Sequence, residues 1–342
     1  MPTPLPPPLP HLLQLVDGKA ELFGAEVALG DRVAPPAGAP FALFTWSGAT
    51  LAVSASDGGP LDSAASLVYV ADYTPMPAFI NVHDALDARR VLARDGKGRG
   101  PRAMVVGPPD AGKSTLCRVL LNYAVRAGWV PLAVDLDVGQ GSMSPPGTIA
   151  AAPVATPIPP AGLAPDAPLV YWYGHASAGD NPALFRFAVE RLGGLLARRA
   201  AASPPDAAAA GWIINWMGWV DGQGYDLLVD AVAALGVDVL LVVGHDRLFA
   251  KLQAELGWGR RGVGGLVGAR ASRSAHAVSP PHSPARVRPT RSRSSSSRGP
   301  RVRSRATWPP GAPHARRPSA PISTAKTATS SPPPFALNPL NS

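Results

Sequence analysis

Gly107-Pro108-Pro109-Asp110-Ala111-Gly112-Lys113-Ser114-Thr115 lies between a short apolar run and an amphipathic one. A glycine, four residues and then Gly-Lys-Ser give the spacing of a phosphate-cradling loop. Both flanks agree with it. Ala103-Met104-Val105-Val106 reads as a short buried strand, and Leu116, Val119, Leu120 and Tyr123 recur at helical spacing. In a strand–loop–helix unit, Gly107 and Gly112 let the backbone turn so that N–H groups converge, and the helix start adds its positive dipole end. Lys113 can then reach the β- and γ-phosphates of a nucleoside triphosphate, and the Ser114 hydroxyl can ligate Mg²⁺. Asp110, Ala111 and Thr115 complete the cradle. A glycine-lysine turn that only caps a helix needs neither flank.

Outward from the loop, charge divides the chain. Of the 32 Lys and Arg, 15 follow residue 256, where there is no Asp or Glu, so the net +9 belongs to the last quarter and the first 256 residues are mildly acidic. At 342 residues there is room for about two domains. The single cysteine, Cys117, excludes an intramolecular disulfide, suits a reducing compartment and reads as a small buried residue of the helix after the loop. No apolar run approaches the length of a membrane span, and Met1 to Pro10 is proline-rich without a basic start, so neither a membrane nor a secretory signal is expected.

Residues 1–11 read as a disordered proline segment. From 12 to about 70, the short runs Ala20-Glu21-Leu22-Phe23, Phe41 to Trp46, Thr50 to Val53 and Ser66 to Val70 are separated by Gly, Pro and Asp, which predicts a small all-β unit, a sandwich or a barrel. His83 to Arg94 reads as a helix that closes this domain, residues 12–94, and 95–101 as a linker. Residues 102–256 alternate strand and helix patterns: Pro131 to Asp137, Leu169 to Tyr173, Trp212 to Asn215 and Val237 to Val243 as strands, Pro182 to Arg199 and Tyr225 to Leu235 as helices. That alternation predicts an α/β domain with a mostly parallel sheet covered on both faces.

The strand after the loop helix ends in carboxylates, Asp135-Leu136-Asp137. Residues two apart on a strand share a side, so both point the same way. A strand-end Asp beside a phosphate loop can bind Mg²⁺ or accept the proton of an attacking hydroxyl, and Asp137 is the candidate. Gly139-Gln140-Gly141 then offers a turn near the phosphates. Past Gly257 the periodicity disappears into Arg, Ser and Pro, and 257–342 reads as a disordered basic tail. Three origins fit that composition: a solvated tail, a nonspecific RNA-phosphate binder, or an Ala/Gly/Pro-rich coding region read out of frame.

Taken together, Gly107 to Arg118 with Leu121-Asn122-Tyr123-Ala124, Leu136 to Ser142 with Pro146-Gly147-Thr148, Ala20 to Gly24, Phe44-Thr45-Trp46, and Gly218-Trp219-Val220 with Gly224-Tyr225 resemble the Clp-type polyribonucleotide 5′-hydroxyl kinases of the pre-mRNA cleavage and polyadenylation factor. The similarity runs from about Leu12 to about Leu256. It implies an N-terminal β domain before a P-loop domain, ATP and Mg²⁺ as cofactors, the RNA 5′ end and other cleavage-factor subunits as partners, and a nuclear location. By the same resemblance Lys113 grips the phosphates, Ser114 holds Mg²⁺, Asp137 orients or deprotonates the RNA 5′-hydroxyl, and Trp219 belongs to a clasp on the RNA end. An aromatic face suits that clasp because it accepts any base, although Trp219 alone reads as a half-buried core residue. The chain departs from the family where the clasp begins (Trp216 in place of Thr), at Pro40 in place of a Lys, in the N-terminal strand that carries a further contact to the base, and after Leu256, where no arginine-bearing lid or C-terminal domain can be matched. A scaffold that holds ATP without turnover is the alternative the resemblance leaves open.

Overall fold

The computed structural model describes residues 11–34, 41–55, 71–165, 167–257 and 265–269. These lie in the first of two compact units of the chain, Met1–Ser272 with Pro333–Ser342. The expected strand at Ser66 to Val70, Pro40, the proline segment 1–10 and residues 270–342 fall outside the described residues.

The N-terminal part is built from two three-stranded antiparallel sheets. One has the order β4 (Arg32–Val33), β1 (His11–Gly18), β6 (Ala49–Ala55); the other β3 (Ala25–Val27), β2 (Ala20–Leu22), β5 (Leu43–Phe44). Leu15, Ala20, Leu22 and Val27 meet between them as a small core. The all-β expectation holds. β1 begins at His11, one residue inside the expected proline segment, and the run from Phe41 to Trp46 yields only the two residues of β5.

α1 (Met76–Arg94) starts seven residues earlier than His83, the start its periodicity suggested. Pro75 and Pro77 look like helix breakers in the sequence, but they fall at its N-cap and first turn, where no backbone N–H is needed. A third sheet has seven strands in the order β10 (Leu169–Trp172), β9 (Thr148–Pro153), β8 (Leu132–Asp135), β11 (Trp212–Asn215), β7 (Arg102–Val106), β12 (Val239–Val243), β13 (Gly265–Ala269). From β8 to β13 all neighbours are parallel; β9 runs antiparallel to both β8 and β10. The helices are α2 (Lys113–Arg126), α3 (Pro182–Ala202), α4 (Pro205–Ala209), α5 (Gln223–Leu235) and α6 (Asp246–Leu256).

Alternation along the central strands builds the two faces. Met104, Val106, Ile214, Leu240 and Val242 pack against α3, α5 and α6, while Ala103, Val105, Ile213, Val239 and Leu241 pack against α1 and α2. β9 had no clear signal because its Thr-Ile-Ala-Ala-Ala-Pro has little β-branched character; a place between β8 and β10 supplies its hydrogen bonds instead. β13 lies beyond Gly257, where the composition suggested no further element. Its Gly-Leu-Val-Gly-Ala backbone pairs in parallel with all five residues of β12.

The β domain grips α2 by its C-terminal half. Phe23 and Gly24 form the two-residue turn of the β2–β3 hairpin with φ of 50° and 80°, the geometry that suits the strands' right-handed twist. Asn122 Nδ2 donates to the Phe23 carbonyl (2.8 Å), and Arg126 Nη1 donates to the Gly24 carbonyl (3.0 Å) and to Glu21 Oε2 (2.8 Å). Tyr123 donates its hydroxyl to the other oxygen of Glu21, which is buried. A β-carbon on Gly24 would lie 3.1 Å from the Val119 carbonyl oxygen, so the hairpin tip approaches the helix backbone as closely as glycine allows.

His83 packs against Tyr123 in this interface, with ring centroids 5.4 Å apart, and its Nδ1 has no hydrogen-bond partner among the described residues. Burial, assisted by the nearby Arg90 charge, holds the His83 pKa below its ordinary 6.5. Below pH 6.5 the unfolded chain therefore binds a proton that the folded chain refuses. The stability from a neutral His83 is present above that pH and is lost as pH falls toward the folded-state value. We expect denaturant unfolding to show a smaller loss of stability between pH 7.5 and 5.5 in His83→Phe than in the wild-type chain. Equal losses would assign the acid sensitivity to other groups.

Candidate nucleotide and acceptor site

The loop from β7 to α2 is confined from both sides. A side chain on Gly107 would run into the Val243 carbonyl of β12, and one on Gly218 would come within 2.8 Å of Pro109. Asp110 has φ of 57° and Gly112 φ of 88°, two left-handed residues within three positions, one of them a non-glycine. Such backbone costs on the order of 1 kcal/mol and persists where the surroundings enforce it. Gly112 stands at the N-cap of α2 and supplies no side-chain cap. The first amides of the helix therefore remain available to an anion. Lys113 is buried at its base and donates Nζ to the Pro108 carbonyl (2.8 Å). Burial lowers its pKa, and the carboxylates of Asp137 and Asp110 act against that shift.

The turn after β8 is organised by Asp135. Its Oδ1 accepts from Asn215 Nδ2 (3.1 Å) and from the backbone N–H of Asp137 (3.1 Å); its Oδ2 accepts from the N–H (2.7 Å) and hydroxyl (2.9 Å) of Ser142. Burial raises its pKa, while those four donors act in the opposite direction. The strand ends at Asp135, so Asp137 does not extend beside it as the two-residue spacing predicted. Asp137 sits in the following turn, where its Oδ1 accepts from the N–H groups of Gly139 (3.1 Å) and Gln140 (3.0 Å).

A cleft of about 900 Å³ lies over this end of the sheet. Of the candidate residues, Asp110, Gly112, Lys113, Ser114, Thr115, Asp137 and Trp219 all line it. Gly107 and Ala111 do not; they set the course of the loop behind the lining residues. Trp219 is half-buried, held between Gly179, whose β-carbon would meet the ring at 3.2 Å, and the backbone of Gly224. Trp219 packs against the core and also lines the cleft.

Three parts of the lining had no recognisable signal in the sequence. The wall at Ala176, Ser177 and Ala178 is fixed by Tyr173, whose hydroxyl lies 3.1 Å from the carbonyls of Ser177 and Ala178 and accepts from the N–H of Asn181 (3.0 Å). Asp221 lies two residues after Trp219, and His245 follows β12. Cys117 is buried in α2, where desolvation pushes its thiol well above the usual range, as befits a packing residue. A second, mostly apolar cavity of about 210 Å³ opens between α2 and β8, reached by Phe23, Arg118 and Leu163.

Asp135→Asn tests whether the turn depends on a carboxylate. An amide turns an N–H₂ group toward one pair of donors and leaves them unsatisfied, which costs about 1–3 kcal/mol. We expect denaturant unfolding to show a loss of that size, and hydrogen exchange to speed up at Ser142 more than at Val105. Unchanged stability and exchange would show that the turn holds itself.

The sequence model described as the mRNA cleavage and polyadenylation factor CLP1 P-loop matches residues 107–266, and that described as the N-terminal beta-sandwich domain of polyadenylation factor matches residues 6–93. The chain is 43% identical over 251 residues to the protein CLP1 homolog of Arabidopsis thaliana, covering 71% of this chain and 54% of that protein. It is 42% identical over 245 residues to the polyribonucleotide 5′-hydroxyl-kinase Clp1 of Homo sapiens, covering 71% of this chain and 56% of that protein. It therefore spans about half the length of the curated relatives it matches. The solved wild-type Clp1p–Pcf11p complex shares the fold, with a TM-score of 0.66 at 22% identity over 79% of this chain and 64% of that one. Both modules point the same way, and the chain belongs to the CLP1 family of mRNA cleavage and polyadenylation factors.

Proposed function

We propose that this chain binds ATP with Mg²⁺ and phosphorylates the 5′-hydroxyl of RNA in mRNA 3′-end processing. The observation that carries this is the convergence of Lys113, Ser114, Asp137 and Trp219 on one cleft, in a chain whose relatives are named polyribonucleotide 5′-hydroxyl kinases.

The residues fit such a ligand. The loop amides and the open start of α2 suit a polyphosphate, and Lys113 has only a carbonyl to leave in order to meet it. Ser114 and Asp137 line the same cleft and offer the one hydroxyl and one carboxylate that Mg²⁺ commonly takes, the other positions being filled by phosphate and water. When bound, the metal ion neutralises charge on the transferring phosphoryl group. Asp137 has one oxygen held by two backbone amides, which fixes the carboxylate while the other oxygen orients the attacking hydroxyl or takes its proton. Trp219, half-buried on the same cleft, contacts the terminal base with the part of its ring left exposed and so places that hydroxyl. The family assignment supports a nuclear location and other subunits of the cleavage factor as partners.

A second reading has an observation of its own. Lys113 is the only Lys or Arg among the described residues that line the cleft. Arginines that stabilise the transferring group contribute about 10³-fold or more in such reactions. A chain without them would hold ATP as a scaffold subunit.

Transfer of labelled γ-phosphate from ATP to 5′-hydroxyl RNA decides between the two. We expect label on the RNA, reduced at least ~100-fold in Asp137→Asn while ATP affinity stays within a few-fold of wild type. Bound, unhydrolysed ATP and unlabelled RNA would establish the scaffold. Lys113→Ala should weaken ATP binding at least ~tenfold by calorimetry and leave the far-ultraviolet circular dichroism unchanged. Equal affinity in the two proteins would remove the nucleotide from this cleft.

A further inference from the structure

His245 lies where the chain leaves β12, one residue after Gly244, and lines the same cleft as Lys113. Its position relative to the phosphate loop is fixed twice over. The Val243 carbonyl packs against Gly107 at the start of the loop, and a β-carbon on Gly244 would lie 3.7 Å from that of Ala111 in its middle. Since β12 is the neighbour of β7 on the side away from β11 and β8, His245 flanks the loop opposite Asp137.

The ring's orientation follows from its other task. His245 is the N-cap of α6, and its Nδ1 accepts the N–H of Leu248 at 2.9 Å. A nitrogen that accepts a hydrogen bond carries no proton, so in the neutral ring the proton is on Nε2. Nε2–H stands on the far edge of the imidazole, away from the Leu248 N–H, in a residue that lines the cleft. A ring held in this way presents a single N–H in a fixed direction, which suits a hydrogen bond to an anion. Around it the described lining holds the carboxylates of Asp110, Asp137 and Asp221 against a single ammonium, that of Lys113.

We propose that His245 is a ligand-binding residue of the nucleotide site, its Nε2–H donating to a β- or γ-phosphate oxygen while its Nδ1 caps α6. The inference rests on the reading of this cleft as an ATP site. It gives the polyphosphate a side-chain donor on the β12 flank, where none was expected, and couples phosphate contact to the start of α6.

The two roles of the ring separate by substitution in the full-length protein. Asparagine is among the strongest N-cap residues, so His245→Asn keeps an acceptor for the Leu248 N–H but has no group that reaches as far as Nε2. His245→Ala removes both. Calorimetric titration with Mg²⁺–ATP and with AMP, beside thermal unfolding, reads them apart. We expect His245→Asn to bind ATP about tenfold more weakly, with AMP affinity unchanged. We expect His245→Ala to show the same loss of ATP affinity together with a lowered unfolding midpoint. ATP affinity unchanged in His245→Asn, with Lys113→Ala weakened, would overturn the inference and leave the ATP site standing. Equal losses for ATP and AMP would also overturn it, because a contact to the outer phosphates must spare AMP. If neither His245→Asn nor Lys113→Ala changed ATP affinity, the ATP site itself would fall, and this inference with it.

Discussion

The carboxylate of Asp135 is the constraint on which the candidate site depends. It is buried at the end of β8 and collects four hydrogen bonds from three places: the turn that begins at Asp137, Ser142 at the close of that turn, and Asn215 at the end of β11. An ionised carboxylate with that many donors is well satisfied in low dielectric, whereas the same group with one donor removed would carry a large desolvation cost. The arrangement therefore admits few alternatives. By closing the turn it sets the direction of Asp137, and by holding Asn215 it fixes where β11 releases the chain toward Trp219.

The other half of the site hangs on α2. Its N-terminus is the phosphate loop, and its C-terminal half is held by Glu21 and by the carbonyls of Phe23 and Gly24 in the β domain. The N-terminal domain thus contributes to the loop without approaching it: it pins the far end of the helix whose near end receives the ligand. The unfavourable φ of Phe23 is accepted in a turn whose carbonyl and ring are both used, the ring lying 4.3 Å from the Arg118 guanidinium.

How much of this could be read in advance follows from the range of each interaction. The phosphate loop and the strands around it were legible because their signals are local: glycines at fixed offsets and runs of Val, Ile and Leu. Loop spacing and the strand-end carboxylates marked Lys113, Ser114 and Asp137, and only Trp219 needed motif resemblance. The role of Asp135 was not legible, since two of its three partner residues lie seven and eighty positions away and nothing about Ser142 or Asn215 marks them. β9 and β13 were missed for a different reason. Alanine and glycine have little preference for strands, and these segments become strands because β8, β10 and β12 present unpaired edges to them. A lone histidine before a helix has no spacing partner, so nothing in the sequence marks His245; only the fold brings it to the cleft that Lys113 lines.

The parallel direction of the central strands has a further consequence. The chain segments that line the cleft after β7, β8, β11 and β12 all leave the sheet at one end. The opposite end is tied together separately: Asp238 receives the N–H of Arg102 at 2.9 Å and lies 3.4 Å from both Arg89 and Arg99, while Arg99 and Arg102 donate to the carbonyls that finish α5. Thermodynamic anchoring and ligand chemistry are thereby housed a full strand length apart. That separation gives the molecule a handle for spectroscopic labels and surface attachment: the stretch from Asp95 to Gly98, exposed and joined to the anchored end, can carry a bulky group without reaching the cleft.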